Sequence, residues 1–453
     1  MLDRFAAFAE EYRSTEPDPA VTLAATRAVI DWTAATMAGA VMEPARILVD
    51  ALVDEDEIGH ARLVLDGSRV RPRTAALINA TASHTAEMDD IYRDGIYHPG
   101  SPTVGAALAM AQHLDASGAA LLRAVTVGYE VGDRIAAAVQ PEHYKFWHTT
   151  GTVGTIGAAA AVAELLELDA ERFLHALATA TTMAAGLQQA FRSDAMSKPL
   201  HAGHAAEAGM LASMAAARGF TGARDVLDGA AGFAVAMAGG ADLTSAGEAL
   251  GSDLCITRPT VKYHSCCGHT FAAVDAALLL RDRGIRPADV DRINIYTYAI
   301  ATTVAGNPDP KTAFEAKFSI QYCVAAALTL GAVRLRAFEQ EALGDPTIRD
   351  LVARTAVTVD DVLDAGYPQA RGARVRVVLR DGSTIEELRT TRKGDPDDPL
   401  TDDELRAKFD ELVEPVLGIS ASAVLSKELW GIADLPGVRD LTLTPGSAMT
   451  ASS

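Results

Sequence analysis

The long first part of the sequence constrains the fold most, because segments of small and apolar residues follow one another there with helical spacing. Residues 21–37, 121–139 and 173–183 repeat apolar side chains every three to four positions, as on one face of a helix. Residues 209–218 are almost all small, so helix axes can approach one another closely there. The pattern predicts a large all-helical domain over residues 1–257.

Strand patterns begin near Arg258. Residues 290–298 alternate apolar and polar side chains in the manner of a half-buried strand. Residues 374–390 combine two β-rich runs around Asp381-Gly382, a dipeptide typical of a hairpin turn. We therefore expect a second, smaller α+β domain over residues 258–399, placed like a lid.

The remaining patterns complete a mainly α fold. Residues 272–281 and 318–329 have helical spacing and fall between the strands of the α+β lid domain. A capping box at Thr401 starts a further helix, and we expect residues 400–441 to rejoin the helical domain. Residues 442–453 are predicted to be a frayed tail.

Charge and composition exclude several classes of partner. The chain has 40 Lys and Arg against 60 Asp and Glu, a formal net charge of -20, which argues against nucleic acid or an anionic membrane surface. No run of about twenty uninterrupted apolar residues predicts a membrane span, and the start of the chain lacks a signal-peptide pattern. Four cysteines without a Cys-x-x-Cys spacing favour a reduced, cytoplasmic setting.

An acidic segment between two predicted helices is the first candidate for chemistry. Glu87, Asp89 and Asp90 fall within four residues, and His98 follows within eight residues of Asp90. A carboxylate can orient an imidazole and bias its protonation near neutral pH, which is what proton transfer requires. The alternative is a solvated loop that only caps helices.

Two further segments offer histidines and a lysine. His148 precedes a helix whose first amides can hold a carboxylate, although ordinary N-capping explains the same pattern. Lys198 precedes a small-residue helix and is placed to bind an anion. His201, His204 and Glu207 have the spacing of a metal site on one helix face, which leaves a metal hydrolase as an alternative. Small residues crowd them and no second ligand helix is evident, so we predict no metal.

The last two segments lie in the predicted α+β lid domain. Lys262, Cys267 and His269 belong to one polar stretch, which is consistent with a Cys-His nucleophile pair, a substrate-facing hinge or a satisfied buried loop. Tyr322 interrupts an otherwise apolar helix. Together the five segments predict one cleft between the two domains.

These segments resemble the MmgE/PrpD family. The resemblance spans nearly the whole chain and keeps the family's order over five motifs: Glu87-Met88-Asp89-Asp90 with His98-Pro99-Gly100, Lys198-Pro199-Leu200-His201-Ala202-Gly203, Gly219-Phe220-Thr221-Gly222, Lys262 through Cys266, and Glu315-Ala316-Lys317-Phe318-Ser319.

The resemblance implies a helical domain with a lid-like α+β domain, a homodimer, and cofactor-free chemistry on small di- or tricarboxylates. It implies that the active-site cleft receives Glu87, Tyr92, His98, His148, Lys198, Lys262 and Tyr322. We add Asp90, His201, His269 and Cys267 as substrate contacts. Cys267 stands where the family's decarboxylases carry a histidine.

The predicted reaction begins by removing a proton from carbon next to a carboxylate. Such a carbon is a weak acid, so the site needs a base and cations that stabilise enolate-like charge. We expect His98 or His148 as the base, Lys198 and Lys262 as carboxylate ligands, and Tyr322 as an acid or hydrogen-bond donor.

Glu87 or Asp90 is expected to orient a histidine. The favoured outcome is dehydration of a 2-methylcitrate- or citrate-like acid. The alternatives are epimerisation of an iminodisuccinate-like acid, aconitate-type decarboxylation, and a non-catalytic carboxylate-binding scaffold.

Overall fold

The computed structural model describes residues 1–54, 58–191, 195–441 and 443. Residue contacts divide the chain into two compact units, Met1–Thr260 with Thr401–Ser453, and Val261–Leu400. The frayed tail predicted for residues 442–453 lies outside the described residues except for Leu443, which is buried. The prediction of a mainly α protein with a smaller α+β region is confirmed.

Helices dominate the first unit. A short antiparallel strand pair, β1 and β2, follows the third helix and joins Ala61 to Val70. The elements of this part are α1 (Leu2–Arg13), α2 (Pro19–Ala40), α3 (Glu43–Leu52), β1 (Ala61–Arg62), β2 (Arg69–Val70), α4 (Pro72–Thr85), α5 (Gly100–Leu114), α6 (Gly118–Ala138), α7 (Thr149–Leu165), α8 (Ala170–Thr182), α9 (Ser197–Ala216) and α10 (Phe233–Ala238).

The centre of this unit is α7, every residue of which is buried. It packs against α5, α6, α8 and α9, and α9 packs in turn against α4. A Cβ atom at Gly209 of α9 would lie 2.5 Å from the carbonyl oxygen of Thr155 in α7, and one at Gly203 would lie 2.3 Å from that of Leu77 in α4. The small residues seen in the sequence therefore allow three helices to meet at backbone contact.

The second unit is built around a four-stranded sheet with strand order β4-β3-β5-β6. The strand β3 pairs in parallel with β4 and antiparallel with β5, while β5 and β6 form the predicted hairpin. Its elements are α11 (Phe271–Asp282), β3 (Val290–Thr297), α12 (Ala299–Ala305), α13 (Ala313–Lys317), α14 (Ile320–Leu330), α15 (Gln340–Leu343), α16 (Pro346–Ala353), β4 (Thr355–Val359), α17 (Asp361–Ala365), β5 (Ala373–Leu379) and β6 (Thr384–Arg389).

One face of this sheet carries the core of the second unit. Ile293 and Ile295 of β3 and Val375 and Val377 of β5 are fully buried, as the period-two alternation requires. The helix α11 packs against β5 and β6, and α14 packs against α11. At the turn, Gly382 has a φ of 87°, a left-handed conformation that glycine adopts without a Cβ penalty.

Two helices complete the first unit after the sheet, α18 (Asp402–Leu417) and α19 (Ile419–Trp430). The predicted capping box at the start of α18 is present. The amide of Glu404 donates to the Thr401 hydroxyl, and the Thr401 amide donates to the Glu404 carboxylate. Among the described helices, none combines the length and apolar character that crossing a membrane requires.

Candidate active site

The acidic segment forms the connection between α4 and α5, and its backbone is held at both ends. Glu87 has a φ of 59°, a left-handed conformation that is uncommon for a residue with a side chain. Next to it, the Met88 carbonyl accepts a hydrogen bond of 2.7 Å from the buried Lys408 of α18. The Ile91 amide donates to Thr260 at 2.9 Å. The segment is therefore fixed in place.

Asp89 lies at the centre of this segment and is 1% exposed. Its Oδ2 lies 2.6 Å from Nδ1 of His84 and 3.2 Å from Nδ1 of His98, and it accepts a 2.8 Å hydrogen bond from the Ser101 hydroxyl. Burial raises the pKa of this carboxyl, but the charges and hydrogen bonds of the two histidines outweigh burial and hold the pKa well below its usual range. Asp89 is thus a buried anion between two imidazoles.

Four histidine rings lie next to one another in this unit. His84 meets His98 edge to face at 4.8 Å between ring centroids and stacks on His148 at 5.4 Å. His148 in turn lies 5.3 Å from His201, with 3.1 Å between their Nδ1 atoms. The rings come from the end of α4, the loop before α5, the residue before α7 and the first turns of α9.

The two histidines farthest from Asp89 are held in the neutral form. Burial, reinforced by the neighbouring histidines and Lys198, lowers the pKa of His148 well below its ordinary value. Burial is also the main cause that lowers the pKa of His201 to about 4. A neutral pair fits the close Nδ1–Nδ1 contact, because one nitrogen can donate while the other accepts.

Exposure separates the residues that can reach a ligand from those that support them. The side chains of His98, Lys198 and Glu87 are 15%, 17% and 20% exposed. The side chains of His84 and Asp89 are at most 1% exposed. Lys198 and Glu87 form an ion pair with each other, so a carboxylate ligand of Lys198 would share its charge with Glu87.

Asp90 and Tyr92 have contacts that hold the segment rather than face the histidines. Asp90 accepts from the Gly100 amide at 2.9 Å and from the Tyr129 hydroxyl at 2.8 Å. Burial, followed by the negative charge of Asp31, raises its pKa to about 7. Tyr92 is buried, and the guanidinium of Arg258 lies 5.6 Å from its ring centroid. Their substrate-binding role stays a prediction.

The remaining candidates lie in the second unit. Lys262 is 2% exposed, and Tyr322 is fully buried with its hydroxyl donating to the Ala337 carbonyl at 2.7 Å. Burial raises the pKa of Tyr322, so its hydroxyl is a weak acid that already has a main-chain partner. Cys267 and His269 are partly exposed. The joint cleft and the roles of these four residues stay predictions.

His201, His204 and Glu207, which the sequence offered as an alternative metal site, do not bring their ligand atoms together in the described structure. Glu207 accepts from Arg73, His201 contacts His148, and His204 lies 3.4 Å from the Met183 carbonyl. Over the part of the chain that the structure describes, the group whose ligand atoms do come together is His84, Asp89 and His98, within 4.8 Å of one another. A divalent cation could be held by two imidazoles and a carboxylate there.

His84 is the member of this cluster that the sequence reasoning missed. It ends α4 and lies five residues before Asp89, so a histidine just ahead of the acidic segment was the available signal. The sequence led us to expect Glu87 or Asp90 to orient a histidine, and Asp89 was only one of several other carboxylates able to do so. Its contacts with both histidines make it the best placed of them.

Comparison with known proteins agrees with this architecture. The MmgE/PrpD N-terminal domain matches residues 3–246, and the MmgE/PrpD C-terminal domain matches residues 264–430. A cis-aconitate decarboxylase-like protein of Aspergillus oryzae is 28% identical over 81% of this chain and 81% of its own length. The cis-aconitate decarboxylases of Mus musculus and Homo sapiens are each 28% identical, over 75% and 83% of this chain and 72% and 79% of their own. The chain therefore belongs to the MmgE/PrpD family.

Proposed function

We propose that this protein, a carboxylic-acid lyase of the MmgE/PrpD family, transfers a proton at the carbon next to a carboxylate of a small di- or tricarboxylic acid, with His98 as the transferring group. The observation that carries the proposal is the position of His98, which is partly exposed and lies 3.2 Å from the ionised Asp89. A carboxylate in contact with one ring nitrogen stabilises imidazolium as it forms and leaves the other nitrogen to exchange a proton.

The neighbours of His98 suit substrate binding. Lys198 supplies the positive charge that a carboxylate needs, and it is exposed enough to be reached. His148 is buried, held neutral and in contact with His84 and His201, so it suits positioning the cluster better than carrying a proton. The carboxylate of Glu87 offsets part of the positive charge of Lys198 through their ion pair.

Decarboxylation of an unsaturated tricarboxylic acid such as cis-aconitate is the first outcome to test, because the three relatives carry that activity in their names. In this reaction His98 would give a proton to the substrate carbon while a carboxylate leaves as carbon dioxide. Dehydration of a citrate-like acid, favoured from the sequence, is the second outcome, because Cys267 in place of a family histidine argues against a transfer of the decarboxylase activity. There His98 would take the proton and water would leave.

The experiment is to incubate the protein in deuterated water with citrate, 2-methylcitrate, cis-aconitate and aspartate-derived acids, and to follow the products by NMR. A loss of carbon dioxide, a loss of water and an inversion of configuration give different spectra. We expect turnover of at least one acid with deuterium at the carbon next to a carboxylate. A scaffold that only binds carboxylates would incorporate none.

The role of His98 is tested by two matched substitutions. General acid–base catalysis contributes roughly 10²–10⁴-fold, so we expect His98→Gln to lose about that much turnover and to lose deuterium incorporation while still binding the acid. His175 pairs with Glu171 at 3.1 Å outside the cluster, and His175→Gln is the control. If His98→Gln keeps incorporation and His148→Gln abolishes it, the two roles are reversed.

Chelation tests whether the cluster works without a metal. We propose that turnover needs no ion, since Asp89 already contacts both histidines. Activity should survive exhaustive chelation. Loss of activity with recovery on adding one divalent metal would assign His84, Asp89 and His98 as its ligands. A homodimer and a cytoplasmic location remain part of the proposal.

A further inference from the structure

Arg371 in the second unit is a largely enclosed cation without a carboxylate partner within the described ranges. It lies just before β5, and its guanidinium carbon is 5.8 Å from the ring centroid of Tyr367. Its Nε is buried and makes no hydrogen bond to any described residue. Asp395 acts on this charge only from a distance, and an enclosed cation that no carboxylate contacts is costly to fold, so a bound anion would offset part of that cost.

The neighbouring arginine, Arg392, does have a carboxylate partner. Arg392 is 1% exposed and donates to both oxygens of Asp395, at 2.9 and 2.7 Å, and to the Gly268 carbonyl at 3.0 Å. Both carboxylate oxygens of Asp395 therefore accept from Arg392. Burial and then the charge of Arg392 lower the pKa of Arg371, as expected for a cation beside a cation.

Two tyrosine rings and a histidine ring lie next to Arg371. Tyr298 and Tyr367 stack at 4.9 Å between centroids, and the Tyr298 hydroxyl lies 2.7 Å from Nδ1 of His269. Burial, followed by the charges of Arg371 and Arg392, lowers the pKa of His269 to about 3, so this ring is neutral. When Tyr298 donates to Nδ1, the Nε2 atom of His269 carries the proton and can donate to an anion.

We propose that Arg371 and His269 form a carboxylate-binding site in the second unit, with Cys267 beside it. Arginine presents a planar pair of N–H groups that matches the two oxygens of a carboxylate, and His269 adds one neutral donor. Cys267, His269, Tyr367 and Arg371 are all partly exposed, so a small anion can enter. The proposal rests on the proposed function only in the choice of a carboxylate as the anion.

The probe is tricarballylate, a saturated tricarboxylate that offers neither a double bond nor a hydroxyl to react. Cys267 is partly exposed, whereas Cys255, Cys266 and Cys323 are buried, so alkylation by iodoacetamide reports on this site when Cys267 is followed by peptide mass spectrometry. A bound anion lowers the alkylation rate by the factor 1 + [L]/Kd, about tenfold at a concentration near ten times Kd. The readout needs no turnover, so it is independent of His98.

Arg371→Gln is expected to abolish this protection and Arg371→Lys to retain part of it. Arg376 pairs with Glu386 on the outer surface of the same sheet, and Arg376→Gln is the control that should keep full protection. His98→Gln should also keep protection while losing turnover. Protection that survives in Arg371→Gln, or equal protection by inorganic phosphate, would overturn the site as a carboxylate site.

Thermal unfolding separates a ligand site from a structural role of Arg371. Replacing an enclosed cation that no carboxylate contacts by a neutral amide should leave the midpoint unchanged or raise it in the absence of anion. In the presence of tricarballylate the midpoint should rise in both proteins, because the site with Lys198 is intact in each, and it should rise less in Arg371→Gln than in the wild type. A large fall in the midpoint of Arg371→Gln without anion would show that Arg371 holds the fold and would overturn the proposal.

Discussion

Asp89 gives the site its chemical character at the scale of single residues. Its carboxylate is buried, ionised and shared between His84, which is enclosed, and His98, which is partly exposed. The enclosed histidine fixes the carboxylate, and the carboxylate fixes the histidine that can meet a ligand. In this arrangement His84 and Asp89 position the cluster, and His98 is the side chain placed to transfer a proton.

His84 is predicted to be a positioning residue. His84→Gln removes one of the two histidines that lower the pKa of Asp89, so that pKa should rise. Because protonated Asp89 cannot stabilise imidazolium, the acid limb of the kcat/KM profile should move to higher pH, and kcat should fall by about tenfold or more. His84→Asn keeps a donor near the position of Nδ1 and should restore part of kcat.

The pH profile distinguishes this role from a purely structural one. His113 lies at the end of α5, outside the cluster, and His113→Gln should leave the profile unchanged. An unshifted acid limb in His84→Gln, with only a lower thermal midpoint, would mean that His84 serves packing alone.

Lys198 should act through its charge on a substrate carboxylate. Loss of a charged partner in a partly buried contact costs about 2–5 kcal/mol, and the lower end applies because Lys198 is partly exposed. We expect Lys198→Met to lower kcat/KM by about 30-fold or more, since about 1.4 kcal/mol corresponds to tenfold. Steady-state kinetics on the acid that turns over would measure this.

Two further variants test whether the effect of Lys198→Met is specific to the site. Lys145 pairs with Glu142 on the surface, and Lys145→Met should behave as wild type. Glu87→Gln combined with Lys198→Met removes both members of the ion pair, so it separates the loss of the lysine charge from the effect of leaving Glu87 without that lysine. Kinetics near wild type in Lys198→Met would remove Lys198 from the site.

The connection between α4 and α5 is the element that brings these residues together. Asp90 binds the first amide of α5 and the Tyr129 hydroxyl of α6, which anchors the loop that carries His98. The sequence predicted both flanking helices and a proton-transfer role for the loop. It could not assign the carboxylates, because the left-handed Glu87 and the contacts from other helices decide which way each one points.

Asp90→Asn should stabilise the protein increasingly as the pH rises. Burial raises the pKa of Asp90 from 3.8 to about 7, so the folded state holds its proton more tightly than the unfolded state. Stability from this group is full below about pH 4 and is lost as the pH rises towards 7. The isosteric amide is never charged, and the Tyr129 hydroxyl can rotate to accept from it.

At about 1.4 kcal/mol for each pKa unit, the advantage of Asp90→Asn over wild type in unfolding free energy should grow by about 2–3 kcal/mol between about pH 5 and pH 8. Urea denaturation at both pH values measures this difference. Glu43→Gln removes an exposed carboxylate at the start of α3 and provides a reference for carboxylate removal without burial. An advantage that stays constant with pH would mean that Asp90 is ionised in the folded protein throughout this range.

At the scale of the whole molecule, local patterns predicted more of the fold than of the site. The helical first part, the strands at residues 290–298 and the hairpin at Asp381-Gly382 follow from periodicity and turn chemistry, both of which are local. The contact between Tyr298 and His269 beside Arg371, and the row of four histidines, depend on residues far apart in sequence. Sequence periodicity does not predict contacts between side chains that are distant in sequence.

The net charge of -20 gives a prediction for the whole chain. Its 60 acidic residues outnumber 40 basic ones, so the compact state repels itself at low ionic strength. Raising sodium chloride from about 10 mM to about 150 mM shortens the Debye length from about 30 Å to about 8 Å. This range screens repulsion between distant surface carboxylates more than contacts such as Lys408 with Asp31, which are buried.

We therefore expect the free energy of unfolding to rise by an amount on the order of 1 kcal/mol over this range of salt. Urea denaturation at constant pH measures it, and potassium chloride should give the same increase if screening rather than a specific ion is responsible. A fall in stability with salt would mean that surface ion pairs such as Arg27 with Asp402 outweigh the repulsion between like charges. The attraction within the buried ion pairs should be nearly unchanged in either case, because dissolved ions screen buried charges much less than exposed ones.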